Sequence, residues 1–241
     1  MKSCFNCGHN TSEHFCPSCG QKRIEKRLSI GDIIRDGLSF MFSLESPLWH
    51  TFVMLFKNPG RLSREFIAGK RKYYYKPFQY FIFTVLLYFV VRGLLDFDPV
   101  DNAMKMQGQK LENMPDNPSI RAGHFLSRNV NYFLPVWAVV MAAFDRLFFY
   151  KSPYNYAERV THTFYTVSHS VFFGALLTPL TIISPFMDHL KYPVMVLWII
   201  YSITSFHNRN YVWTIIKALV LAILSFAVYV AITFGSVVLL I

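Results

Sequence analysis

The stretch KNPGRLSREFIAGKRKYYYKPF, residues 57–78, decides the fold because it separates a polar N-terminal part from a series of apolar runs. It holds seven Lys or Arg residues against one acid, Glu65, and ends in three tyrosines, a lysine, a proline and a phenylalanine. Cations followed by aromatics at the start of an apolar run are typical of a cytoplasmic membrane interface. The stretch therefore predicts a membrane protein whose N-terminus stays in the cytoplasm.

Composition agrees with this class. Hydrophobic residues make up 53% of the 241-residue chain and charged residues only 16%, whereas charged residues run near a quarter in soluble domains. Residues 1–76 carry 13 basic and 6 acidic residues, or +7 of the net +10. This cluster predicts contact with anionic lipid at the cytoplasmic face. Nucleic acid is disfavoured as the polyanion, because the charge abuts an apolar run. The predicted lipid and interface contacts are Arg61, Arg64, Lys70, Arg71, Lys72, Tyr73, Tyr74 and Tyr75.

Four cysteines predict a metal site. Cys4 and Cys7 form one C-x-x-C knuckle, Cys16 and Cys19 form a second, and a glycine follows each. Two C-x-x-C pairs offer four thiolates for a closed tetrahedral Zn²⁺ site, and in a reducing cytosol metal binding is favoured over disulfides. Residues 1–22 are therefore predicted to be a structural zinc ribbon, for which His9 and His14 are alternative ligands.

Residues 23–77 are predicted to be an amphipathic and basic juxtamembrane linker. Ser29 opens a helical pattern that reaches Phe42, and Ser46 with Pro47 opens another. Residues 38–56 are long enough to span a membrane, but the polar residues within them and the basic flanks on both sides favour interfacial or re-entrant helices, or packing on the bundle. Residues 58–60, Asn-Pro-Gly, predict a type II turn. A short helix that ends near Gly69 should follow.

The order of these motifs resembles an uncharacterised bacterial family of zinc-ribbon, multi-pass membrane proteins, a domain of unknown function. The resemblance is carried by the ribbon, by Pro-Gly-Arg at residues 59–61, by Arg-Glu-Phe-Ile-Ala-Gly-Lys-Arg at residues 64–71, and by Tyr74 and Pro-Phe at 77–78. It implies a bacterial inner-membrane protein in which ribbon, linker and bundle belong together. It implies no assigned activity.

Apolar runs predict an all-α integral membrane bundle over residues 78–241 with about five spans. The N-terminus is expected in the cytoplasm and the C-terminus outside, and residues 96–131 should form an outer, partly disordered loop. The positive-inside rule agrees with this topology. The predicted spans are residues 78–95, 132–150, 160–183, 192–206 and 213–241.

The third predicted span is the least lipid-like. At 100° per residue from Glu158, His162 lies at about 40°, Tyr165 at about −20° and His169 at about 20°, so the four share one stripe. Such polar groups should face the bundle interior. The proposed topology brings Asp145 and Arg146, expected to be an interfacial ion pair, and His207 to the same cytoplasmic end. We therefore hypothesise an intramembrane polar site of Glu158, His162, Tyr165, His169, His207, Asp145 and Arg146.

Three functions are compatible with these patterns. The closed zinc site favours a binding, regulatory or scaffolding role, in which the ribbon recruits a protein partner. The alternative is a transporter or proton-conducting protein that uses the polar stripe, although plain interhelical hydrogen bonding also explains that stripe. A metal-dependent or haem-dependent membrane enzyme ranks third, because the chain has no recognised catalytic motif.

Overall fold

The computed structural model describes residues 2–11, 14–21, 47–108, 118–208 and 212–240, and these residues form a predominantly helical protein. A two-stranded antiparallel ladder at the N-terminus, β1 (Lys2–Ser3) with β2 (Asn10–Thr11), pairs Lys2 with Thr11 and Ser3 with Asn10. The helices are α1 (Leu48–Lys57), α2 (Pro59–Ala68), α3 (Pro77–Leu94), α4 (Pro99–Gln107), α5 (Pro118–Phe148), α6 (Tyr156–Leu177), α7 (Lys191–His207) and α8 (Val212–Leu240). Two 3₁₀ helices, Thr178–Ile182 and Pro185–Leu190, connect α6 to α7.

Helices α1 and α2 lie in the described part of the linker. Each has 10 residues, or about 15 Å, which is half the thickness of a bilayer core. Thus the part of residues 38–56 that is described does not span a membrane. The helical pattern predicted from Ser29 to Phe42 lies outside the described residues.

The predicted type II turn at residues 58–60 is wrong. Asn58 instead caps α2, because its side chain accepts a hydrogen bond from the Arg61 backbone N–H (2.8 Å), and Pro59 is the first helical residue. Proline suits this position because its missing N–H would have no partner there. The prediction that Gly69 ends the helix is confirmed: Gly69 has φ +124° and its N–H bonds back to Glu65.

Within the described residues, three helices are long and apolar enough to cross a membrane, namely α3, α5 and α8. They correspond to the first, second and fifth predicted spans. Helix α7 has only 17 residues, and α6, with 22, is rich in polar side chains. Helices α6 and α7 correspond to the third and fourth predicted spans. They do not meet the criterion of length and apolar composition that α3, α5 and α8 meet.

Helix α6 is the centre of the bundle. Every residue from Ala157 to Val171 is buried, because α3, α5 and α7 pack around this helix and α2 crosses its N-terminal half. A helix enclosed on all sides needs no single apolar stripe. Its hydroxyl groups bond within the protein, as when Thr163 Oγ1 donates to the Ala138 carbonyl of α5 (2.8 Å).

The predicted loop at residues 96–131 contains more helix than expected. Asp98 caps α4 by accepting from the N–H groups of Val100 (2.8 Å) and Asp101 (3.2 Å). Helix α5 begins at Pro118, 14 residues before the predicted second span. Both helices start at a proline in the first turn, a start signal that the apolar-run criterion overlooks.

Candidate functional site

The two cysteine knuckles have the same backbone geometry. The N–H of Gly8 donates to the Cys4 carbonyl (2.9 Å), and the N–H of Gly20 donates to the Cys16 carbonyl (2.7 Å). Both glycines have positive φ, +76° and +66°, a conformation that side chains disfavour. In each knuckle the first cysteine's N–H then bonds to the carbonyl two residues after the second cysteine. Repetition of one turn therefore brings four thiols to one point.

The sulfur positions fit a tetrahedral metal site. Cys4 Sγ lies 3.7 Å from Cys19 Sγ, Cys7 Sγ lies 3.6 Å from Cys16 Sγ, and all four sulfur atoms lie within 4.8 Å of one another. Four sulfurs at about 2.3 Å from a central ion would be about 3.8 Å apart. Among the described residues, these cysteines form the one group of three or more potential ligands close enough to share an ion. Neither His9 nor His14 joins it.

The knuckles rest on the segment that follows α2. The Gln21 side chain is buried, donates to the Gly69 carbonyl and accepts from the Lys72 N–H (3.4 Å). The Lys72 ammonium donates to the Cys19 carbonyl. A methyl group added at Gly69 would lie 3.0 Å from the Phe5 ring, so the ring covers the end of α2. Sequence reasoning missed Gln21 and the role of Lys72, since no local pattern distinguishes them from solvated residues.

Helix α2 is in turn fixed to the C-terminal end of α7. The Ser205 hydroxyl donates to the Asn58 side chain (2.7 Å) and accepts from the Gly60 N–H (3.1 Å). The Arg64 guanidinium donates to the carbonyls of Ser205 and Phe206 (3.0 Å to Phe206). Terminal helix carbonyls lack intrahelical partners and carry partial negative charge, so a guanidinium there is doubly favourable.

Glu65 forms ion pairs with two further linker cations and accepts a hydrogen bond from a tyrosine. It pairs with Arg61 (2.8 Å) and Lys70 (3.2 Å), and the Tyr74 hydroxyl donates to it (2.7 Å). Burial alone would raise the pKa of Glu65, but the hydrogen bonds from Tyr74, Arg61 and Lys70 outweigh it and lower the pKa to about 2. Glu65 is therefore ionised, and its bonds to Arg61, Lys70 and Tyr74 hold together the segment on which the knuckles rest.

The tyrosines divide between surface and core. Tyr74 is 2% exposed and Tyr75 is 7% exposed, whereas Tyr73 is 46% exposed. The Tyr75 N–H donates to Thr51 Oγ1 of α1 (2.8 Å), and its carbonyl accepts from the Tyr165 hydroxyl of α6 (2.5 Å). Tyr74 and Tyr75 therefore do not form the predicted lipid contacts; they join the linker to the bundle.

The residues of the third-span stripe do not converge on one point. His162 Nδ1 lies 2.9 Å from the Ser63 hydroxyl of α2, and its ring stacks on Phe206 (4.1 Å between centroids). The Ser63 hydroxyl also lies 3.0 Å from the Pro59 carbonyl of its own helix. The Nε2 atom of His162 has no hydrogen-bond partner among the described residues.

His169 occupies a separate aromatic environment. Its Nδ1 lies 2.8 Å from the Tyr80 hydroxyl of α3. Phe56 and Trp198 lie 4.6 Å and 4.5 Å from its ring centroid, and Phe52, Phe172 and Phe173 lie within 6 Å. Its Nε2 also has no partner in the described part of the chain. The enclosing rings belong to α1, α6 and α7, so His169 is a packing centre of the bundle.

The other predicted members form a buried ion cluster and a helix cap. Asp145 pairs with Arg159 and with His207 Nε2 (2.8 Å), and the side chains are 1%, 1% and 3% exposed. Arg159 also donates to carbonyls of the α5–α6 connection. Arg146 is exposed, so the predicted Asp145–Arg146 ion pair is wrong. Glu158 caps α6 by accepting from the Asn155 N–H (2.8 Å).

A family profile matches the linker and the start of the bundle. Residues 45–89 match the profile of a family described as "Protein of unknown function (DUF3667)". The match covers less than a fifth of the chain and contains α1, α2, the connecting segment and most of α3. This chain is thus similar to an uncharacterised family over the part that joins the knuckles to the bundle. Neither curated proteins nor solved structures contain a match to this sequence.

Proposed function

We propose that this protein is a membrane-anchored adaptor, in which a structural zinc ribbon on the cytoplasmic side binds a protein partner and is firmly coupled to a helical membrane bundle. The observation that carries the proposal is the docking of the cysteine knuckles, through Gln21 and Lys72, on the segment that continues from α2. A metal module held in this way presents a fixed surface at the membrane.

The donor set supports Zn²⁺ in a structural role. Four thiolates at tetrahedral spacing suit Zn²⁺, and they would fill every position around the ion. A catalytic zinc site needs an open position for water or substrate. The knuckles have little apolar core of their own, since only Cys16 and Gln21 are buried among their described residues. Their fold should therefore depend on the metal.

The proposed arrangement has five membrane spans, in which α6 and α7 join the three helices that are long and apolar enough to cross a membrane. Helix α6 is about 33 Å long from its 22 residues, which matches a bilayer core of about 30 Å. Its polar side chains would not meet lipid, because its neighbours enclose it. With α7 as the fourth span, the ribbon lies at the end where α6 begins and α7 finishes. That end is the cytoplasmic one if the positive-inside rule holds.

Amide hydrogen exchange of the full-length protein tests the coupling. A Cys7→Ser variant should lose the metal and expose the Lys72 amide, because Gln21 no longer accepts from it. Exchange should increase over residues 69–75 and stay unchanged in α8. His14→Ala is the control, because this exposed residue lies outside the cysteine group. Unchanged exchange at residues 69–75 after metal loss would show that the ribbon is not coupled to the bundle.

Co-purification from native membranes tests the adaptor role. The wild-type protein and His14→Ala should retain the same partner in stoichiometric amount. Cys7→Ser should insert into the membrane equally well but lose that partner. Equal recovery with all three proteins would contradict a partner-binding ribbon, and a purified wild-type protein without about one zinc per chain would contradict the zinc site.

A proton or ion pathway is the second candidate, and one observation favours it. His162 and His169 each keep an unpartnered, buried Nε2 within the described residues, and buried polar atoms usually have partners. If α6 carries protons, His169→Ala should abolish a pH-dependent flux in proteoliposomes. The absence of flux in the wild-type protein would end this hypothesis.

A further inference from the structure

Helices α5 and α8 meet at the end of the bundle that carries the linker. They run antiparallel, and the Trp137 indole N–H donates to the Ser225 hydroxyl across their interface (3.3 Å). Nine residues further along α5, Arg146 should lie opposite about residue 216 of α8. The Lys217 ammonium indeed lies 5.9 Å from the centroid of the Phe149 ring. Arg146 and Lys217 therefore lie at about the same height.

Three cations of α5, α8 and the α5–α6 connection have no counter-charge among the described residues. Arg146, Lys151 and Lys217 are all exposed, and none lies within ion-pair distance of a described carboxylate. The adjacent Asp145 is not available to them, because it is buried between Arg159 and His207. Four linker cations differ in this respect: Glu65 neutralises Arg61 and Lys70, and Arg64 and Lys72 bond to carbonyl groups.

Exposed aromatic and apolar side chains lie within a few residues of the three cations in the sequence. Tyr150, Trp213 and Leu147 are 72%, 74% and 68% exposed, and the Lys151 ammonium lies 5.8 Å from the centroid of the Tyr150 ring. Tyrosine and tryptophan are enriched where a membrane meets water. Both helices continue from here as apolar segments that can cross a membrane. The cations therefore lie beside a surface suited to acyl chains.

We propose that Arg146, Lys151 and Lys217 form a binding site for the phosphate-bearing headgroup of an anionic phospholipid. The lipid's acyl chains would lie along the exposed faces of α5 and α8. Cations at a membrane surface that have no counter-charge attract anionic headgroups. The site lies next to the exposed apolar faces of α5 and α8, which would face lipid in any case. This moves the expected anionic-lipid contact from the linker to the junction of α5 and α8.

Native mass spectrometry of the full-length protein tests the site, with phosphatidylglycerol as the anionic probe and phosphatidylcholine as the zwitterionic one. The triple variant Arg146→Gln, Lys151→Gln and Lys217→Gln should bind phosphatidylglycerol on the order of a hundredfold more weakly, as expected for three surface cations. A second triple variant, Arg61→Gln, Lys70→Gln and Lys76→Gln, removes the same charge from linker residues that have partners within the protein. It should bind phosphatidylglycerol within about twofold of the wild type.

A second measurement, of tryptophan fluorescence, tests the site with all three cations in place. Brominated phosphatidylglycerol should quench Trp213 fluorescence more than brominated phosphatidylcholine at the same mole fraction, and Trp213→Phe should remove this difference. Equal weakening by the two triple variants, equal quenching by the two lipids, or full competition by inorganic phosphate would each overturn the proposal. The last outcome would assign the cations to free phosphate.

Discussion

Replacing Gly60 by alanine tests the contact between α2 and α7. A Cβ atom at Gly60 would lie 2.1 Å from the Ser205 carbonyl carbon and 2.3 Å from the Phe206 nitrogen, whereas ordinary contact begins at 3.4 Å. Since both neighbours are backbone atoms, no side-chain rotation relieves the overlap. Helix α2 must retreat by about 1.3 Å, the difference between these distances. The hydrogen bond from the Gly60 N–H to the Ser205 hydroxyl, now 3.1 Å, would break.

The expected loss of stability follows from these terms. Overpacking costs about 1–3 kcal/mol, and two or three lost hydrogen bonds at this contact cost about 1 kcal/mol each. Alanine recovers about 1 kcal/mol through its higher helix propensity. The net loss is about 2–5 kcal/mol, which corresponds to a drop in Tm on the order of 10 °C for a chain of this size.

Gly93 provides a matched control. It lies in the last turn of α3, and a Cβ there would meet nothing within 4 Å, so Gly93→Ala should leave the Tm unchanged or raise it slightly. Thermal unfolding of the purified protein and its metal content should be measured together. Both variants should retain the metal, because the four cysteines lie outside the α2–α7 contact. A Gly60→Ala protein as stable as Gly93→Ala would refute the close approach.

Two further predictions concern charged groups. The depressed pKa of Glu65 means that its ionised form stabilises the fold above its ordinary pKa of 4.5, and that this contribution disappears as the pH falls towards about 2. The difference in Tm between wild type and Glu65→Gln should therefore be full at pH 6 and shrink over that window; a constant difference would contradict the stabilising role of ionised Glu65. Asp145→Asn leaves Arg159 buried without a counter-charge and should cost about 3–5 kcal/mol in chemical denaturation. The exposed Asp101→Asn should cost below about 1 kcal/mol, and equal losses would show that the cluster contributes little.

Local spacing in the sequence predicted the group of four cysteines, which could hold a metal ion, because the information that forms each knuckle is local. Two residues between paired cysteines and a following glycine fix each knuckle, and the structure adds only the meeting of the two knuckles. The start and end of α2 were partly readable for the same reason. Proline and glycine mark both ends, although Pro59 was assigned to a turn and proved to be the first residue of the helix.

The polar stripe shows where helical periodicity fails. Four residues do share one face of α6, but every face of that helix is buried, so facing inward does not bring them to one site. Their partners are distant in sequence: His162 bonds to Ser63, and His169 bonds to Tyr80. No pattern within α6 specifies these pairs, because they depend on how α2 and α3 cross it.

Adjacent charges in the sequence are a poor guide to ion pairs on a helix. Successive residues on a helix point about 100° apart, so Asp145 can face the core while Arg146 faces outward, and both positions are observed. The carboxylate then pairs with a guanidinium from the next helix, Arg159. Arg146, which remains outside, is one of the three cations at the junction of α5 and α8.

The basic residues of this protein are of two kinds: those that bond to other groups of the protein, and those that lack such a partner among the described residues. A run of cations beside an apolar span predicts lipid contact only if the cations have no partner within the protein. In the linker, Arg64 donates to a backbone carbonyl of α7, and Lys72 donates to a backbone carbonyl of the cysteine knuckles. Those residues hold one part of the protein to another. The residues that can meet an anionic headgroup are instead those that lack a carboxylate or carbonyl partner, as Arg146 and Lys217 do among the described residues. The proposed lipid site therefore depends on the lack of a partner for each cation, and not on charge density along the sequence alone.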